Sequence, residues 1–251
     1  MAKRTAKGSP RAPRRTDGLS REVIIRAATD LLDGGGESAL TLRALTVRLS
    51  TGYGAIYHHV ADKGDLLAAA TDDIIARVLT DVAVDADPGE ALRRVAVGLF
   101  DAIDAHPWVG AELSREPWRP AMLDFYESIG RLLDALAVPE RARFDAAGTL
   151  VNYVLGVAGQ NAANARRRAA GDTDRVAFLD TAAEQWARLD PSRYPYVHAA
   201  ATKLREHDDR EQFIAGVDIF LAGIATLRQR AQSPRTGPDQ AASRSERPDR
   251  T

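Results

Sequence analysis

Apolar positions recur three and four residues apart along nearly the whole chain, and no run alternates with a period of two. The spacing predicts an all-α protein with no repeat of 20–50 residues. Ser20 is a candidate N-cap, with Glu22 in the first turn and Ile24, Ala27, Ala28, Leu31 and Leu32 as an apolar stripe. Gly34-Gly35-Gly36 is expected to end that helix. Thr41 is the next N-cap, before a helix with Leu42, Leu45 and Leu49 on one face. Ser50-Thr51-Gly52 breaks the pattern. Tyr53 to His59 then read as a short helix with Ile56 pointing inward and Val60 packing just after it. Asp62 opens a longer helix expected to reach about Val84.

Beyond Pro88 the expected helices lengthen, near 88–105, 108–114, 120–137, 140–168, 173–189 and 209–231. The stretch 190–207 stays open, because Pro191 and Pro195 break it early and a short helix could follow. The last helix carries two apolar rows: Phe213, Val217, Phe220, Ile224 and Leu227, and Ile214, Leu221 and Ala225. A helix apolar on two sides is usually buried on two sides, so this one is expected to meet a second copy, with Gly216 and Gly223 allowing close approach.

Composition narrows the function. There is no cysteine, which excludes disulfides, thiol catalysis and Cys-ligated zinc and fits a reducing cytoplasm. No apolar run is long enough to span a membrane, and the start has no apolar leader, so neither a membrane span nor a secretory signal is expected. The net charge is −1 but uneven. Residues 1–15 hold six cations and no acid, whereas 64–231 hold 19 basic and 26 acidic residues. A basic tip on an acidic body fits a polyanion partner at one end, and equally a solvated tail. Residues 1–18 and 232–251 read as disordered by composition.

Two short helices joined by a tight turn, over Leu40 to Val60, have the helix-turn-helix form, whose second helix lies in the major groove. An ordinary helical hairpin has the same outline. The second helix favours the functional reading, because it shows Tyr53, Gly54, Ala55, Tyr57 and His58 to solvent and turns only Ile56 inward. Gly54 costs such a helix roughly 1 kcal/mol against Ala, a cost that makes sense where a backbone must approach another surface.

The runs Val23-Ile24 through Ala28-Leu31, Leu40-Thr41-Leu42-Arg43-Ala44-Leu45, Ile56-Tyr57-His58-His59-Val60 and Lys63-Gly64-Asp65-Leu66-Leu67 resemble the TetR family of repressors. Glu211-Gln212-Phe213 and Gly216-Val217-Asp218 look like the last helix of its tetracycline-repressor branch. Ser50-Thr51 departs from the family's usual Gly-Val. The resemblance implies a three-helix DNA-binding domain over 19–66 and a helical effector-binding and dimerisation domain over 67–231. It also implies roles: Thr41 on a phosphate, Arg43 on a base edge, and Tyr53, Gly54 and Ala55 against base edges or thymine methyls. Tyr57, His58 and Lys63 would clamp phosphates. The partners it implies are double-stranded operator DNA, a second copy of the chain and a small-molecule effector.

Trp108, Phe125, Tyr126 and Tyr153 are candidates to line an effector pocket, although core packing explains each aromatic as well. A loose alignment to the tetracycline-binding branch adds Ser114, Asn152 and Gln160. Asn152 and Gln160, eight apart beside Tyr153, suit a pocket or a dimer seam alike. The histidine that branch carries near Ser114 is absent, so no magnesium–tetracycline complex is expected, and an uncharged or weakly polar effector is. No cofactor, metal or catalytic residue is expected, because none of the five histidines has ligand spacing with acids on a shared face and no nucleophile motif or phosphate loop occurs. A DNA-binding protein without an effector and a helical enzyme are the rival readings.

Overall fold

A computed structural model describes residues 19–80, 87–115, 118–171 and 174–232, the side chains of 165–171 excepted. The expected basic arm over 1–18, the tail over 233–251 and the end of the fourth helix near Val84 lie outside the described residues. Among the described residues there are eleven helices and no strand. Two compact units divide between Ala70 and Thr71, inside the fourth helix.

The first unit holds α1 (Arg21–Ala39), α2 (Leu42–Leu49), α3 (Tyr53–Tyr57) and the start of α4 (Lys63–Thr80). Ser20 caps α1 by accepting from the Val23 amide at 3.3 Å. The helix loses its geometry at Gly35 and Gly36, as the glycine run predicts. Gly36, at φ 66° and ψ −165°, holds a conformation open to little but glycine. Ile24, Ala28, Leu32, Leu40, Leu45, Ile56, Val60 and Leu66 are buried. Ser50 makes the turn between α2 and α3 in left-handed geometry, its amide and that of Thr51 closing the last carbonyls of α2.

The second unit is built on α5 (Pro88–Ala105) and α8 (Glu140–Gly171), with α6 (Pro107–Arg115), α7 (Pro120–Ala135) and α11 (Asp209–Gln232) packed on them. Leu92, Val95, Leu99, Ile103, Phe125, Ile129, Leu150, Val154 and Phe213 form the core. Asp87 caps α5 just ahead of Pro88. Asp72 of α4 accepts from the Ala121 amide at 3.1 Å, supplying α7 with a side-chain cap from another helix. Arg93–Asp218 and Arg210–Asp101 pairs, at 2.9 and 2.8 Å, tie α5 to α11. The open stretch after Pro191 resolves into a turn followed by α10 (Pro195–Arg205), packed chiefly on α9 (Arg175–Ala187).

On α11, Phe213, Val217 and Ile224 are buried, Ile214, Phe220 and Leu221 half-buried, and Ala225 and Leu227 exposed. Gly216 faces the chain's own core. A Cβ there would collide with the Tyr153 hydroxyl, which donates to the Phe213 carbonyl at 3.0 Å. The Tyr153 ring stacks on Phe213 at 5.3 Å, and Phe213 on Phe100 at 4.4 Å. Gly223, by contrast, faces open space.

Candidate nucleic-acid interface and ligand cavity

The surface formed by α2 and α3 begins with Thr41. Its hydroxyl oxygen accepts from the Ala44 amide at 3.1 Å, which leaves the hydroxyl hydrogen free for an outside acceptor. Two residues on, Arg43 is exposed and its side chain has no partner among the described residues. Gly52 starts α3 without a side-chain cap. Ile56 anchors the helix at 0 % exposure, while Tyr53 and Tyr57 stand 52 % exposed with Gly54, Ala55 and His58 beside them. A Cβ on Gly54 would meet nothing within 4 Å, so no neighbour inside the unit demands glycine there.

Several cations of this unit are occupied. Arg48 pairs with Asp30, and Arg21 with Asp65 at 3.5 Å. Lys63 donates to the Glu37 carbonyl at 2.6 Å, which takes one of its three N–H donors. Arg43 therefore keeps an unpaired guanidinium on α2 and Lys63 keeps two N–H donors, and with Arg21 and Arg48 paired an isolated unit would attract phosphate weakly.

In the second unit, Ser114 and Asn152 are exposed and Tyr126 half-buried. The three line one open cavity of about 390 Å³ between α6, α7 and α8, together with Leu113, Met122, Val151, Leu155 and Gly156. Its character is mainly apolar with a hydroxyl, a phenol and an amide, the mix of a small-molecule pocket. Trp108 and Phe125 do not line it, Phe125 being 1 % exposed in the core. Tyr153 is spent on the Phe213 stack, and burial pushes its phenol above the ordinary range, keeping it a neutral donor. Gln160 lines a different cleft, between α8, α9 and the start of α11. Sequence reasoning missed Met122, Val151 and Leu155. The signal present was spacing along the same helices: Met122 lies four residues before Tyr126, Leu155 three after Asn152, and Val151 four before Leu155.

The family model "Tetracyclin repressor-like, C-terminal domain" matches residues 85–228. A solved TetR transcriptional regulator from Streptomyces coelicolor is 47 % identical, with a TM-score of 0.76 over 84 % of this chain and 99 % of that one. The HTH-type transcriptional repressor DrrR1 of Streptomyces coeruleorubidus is 27 % identical over 89 % of this chain and 83 % of its own. The S. coelicolor protein ActR, solved in complex with actinorhodin, shares the fold at 22 % identity, with a TM-score of 0.68 over 84 % of this chain and 97 % of that one. Among the described residues no helix is long and apolar enough to cross a membrane. With a C-terminal domain of this type behind an N-terminal helix-turn-helix, the chain belongs to the TetR family of transcriptional regulators.

Proposed function

We propose that the chain is a repressor that binds a palindromic operator as a homodimer and is released by a small molecule bound among α6, α7 and α8. The observation that carries the DNA reading is α3 itself: five residues held by one buried isoleucine, with two half-exposed tyrosines, a glycine and an alanine presented outward. In this reading Arg43 and Tyr53 contact base edges, with Gly54 and Ala55 against bases or thymine methyls. Thr41, Tyr57, His58 and Lys63 hold phosphates, and the basic residues 1–15 add affinity without specificity.

Pairing of two copies is supported by the groove of about 570 Å³ between α8 and α11, lined by Ala142, Ala146, Phe220, Ile224 and Leu227. Nearby in sequence, Phe144 is 86 % and Ile219 74 % exposed. Two α3 helices must sit about 34–36 Å apart to enter successive major grooves. The effector fits the Ser114–Tyr126–Asn152 cavity, whose lining favours an uncharged or weakly polar molecule.

The test is a titration of uncharged ligands into a preformed operator complex. A ligand that binds the free protein should lower operator affinity about 5- to 150-fold, a coupling of roughly 1–3 kcal/mol. Asn152→Leu should weaken that ligand's binding without changing operator affinity in its absence. Ligands that bind this cavity and leave the operator complex unchanged would defeat the release model.

A further inference from the structure

The cleft that takes Gln160 away from the effector cavity has a character of its own. Val157, Gln160, Asn161 and Asn164 share one side of α8, Gln160 and Asn161 each lying three or four residues from Val157 and from Asn164. Gln212 stands on α11, and Phe178 and Leu179 of α9 complete the wall. The volume is about 220 Å³, smaller than the effector cavity and suited to a single ring rather than a polycycle.

The charged groups around it are already satisfied. Arg175 donates to the His207 carbonyl at 2.9 Å and to the Asp209 carboxylate at 2.8 Å, while His207 Nε2 lies 2.9 Å from the other Asp209 oxygen. Asp208 caps α11 through the Glu211 amide at 2.8 Å. The four amides are the opposite. None of the side chains of Gln160, Asn161, Asn164 and Gln212 has a hydrogen-bond partner among the described residues. Asn161 and Asn164 are half-buried and Gln160 and Gln212 exposed, so the amide atoms reach the open side of the cleft and are available to a molecule seated in it. Each primary amide offers two donors and an acceptor. Among the described lining residues, Arg175 and Asp209 pair with each other.

We propose that this amide-lined cleft is a second ligand site, separate from the effector cavity, for a small uncharged ring with hydrogen-bond donors and acceptors on its edge. The amides bond the edge from two helices. Phe178, 53 % exposed on α9, offers a ring face for stacking. The class is distinct from that of the effector cavity, where apolar side chains dominate, and the proposal does not depend on operator release.

Uracil, neutral and pyrimidine-sized, is the probe, with benzoate as a charged ring lacking such an edge. Nuclear magnetic resonance of the full-length chain follows the side-chain amide signals, assigned by their loss in Gln160→Leu and Asn161→Leu. Uracil should shift them saturably and benzoate should not. Asn161→Leu should weaken uracil about tenfold, the equivalent of ~1.4 kcal/mol. Gln160→Leu, at an exposed position that the fold tolerates, should weaken it in the same direction. Asn152→Leu should leave uracil affinity as it was. The proposal is overturned if uracil moves none of these signals, if benzoate moves them equally, or if Asn152→Leu abolishes uracil binding as Asn161→Leu does.

Discussion

Ala137 sits just past the end of α7 at φ 54°, with its amide bonded to the Asp134 carbonyl at 2.7 Å and that of Val138 to Leu133 at 3.0 Å. This closing arrangement normally employs glycine, and a Cβ in left-handed geometry costs roughly 1–2 kcal/mol. Ala137→Gly should therefore stabilise the chain by about 1 kcal/mol once the added chain entropy is subtracted, read as a raised urea midpoint at unchanged slope. A lowered midpoint would show that the left-handed strain is relieved some other way. Gly216 is the reverse case. Gly216→Ala forces its methyl against the Tyr153 hydroxyl and should cost about 1–3 kcal/mol. Tyr153→Phe removes that oxygen, so the double variant should recover part of the loss. Strict additivity of the two substitutions in a mutant cycle would disprove the contact. At this scale the sequence revealed Gly216 as a close-approach position but not what approaches. Tyr153 is 63 residues earlier, and nothing local announces the pairing.

Elements were the most legible level, because caps and period lie within a few residues of each other. Ser20, Thr41 and Asp87 each begin a helix where a side-chain oxygen meets a free amide. The start of α7 shows where that logic stops. Arg119 supplies no side-chain cap, and the acceptor for the Ala121 amide comes from Asp72, 49 residues before it. Asp72→Ala should cost about 1 kcal/mol in thermal unfolding, whereas Asp72→Asn, which keeps an acceptor, should recover much of it. Equal losses would mean that charge rather than capping matters. α11 begins with Asp208, whose carboxyl the Glu211 amide holds below its ordinary range. A depressed folded pKa stabilises above the unfolded value of about 3.8 and is lost as pH falls through the folded value. Asp208→Asn should therefore flatten the decline of stability below about pH 3.8 while changing little of its slope near neutrality. An unchanged acid limb would remove that carboxylate from the account.

For the whole molecule, the division into a helix-turn-helix unit and a larger helical unit follows from a resemblance concentrated in residues 20–80. The candidate ligand residues were harder to place, because Asn152 and Gln160 look equivalent along α8 yet open into different spaces. An eight-residue step turns the helix by about 80°, and what fills each side depends on helices far away in sequence. In the proposed function, the α2 and α3 helices of two copies read DNA as a symmetric pair. Selection of randomised duplexes by the chain at fixed salt should then enrich an inverted repeat, with half-sites about one helical turn or a multiple of it apart. Arg43→Ala should lose preference at one symmetric pair of positions, at a cost of roughly 1–3 kcal/mol on the selected site. Failure to enrich any symmetric sequence, or an enriched sequence whose preferences survive replacement of both Arg43 and Tyr53 by alanine, would contradict it.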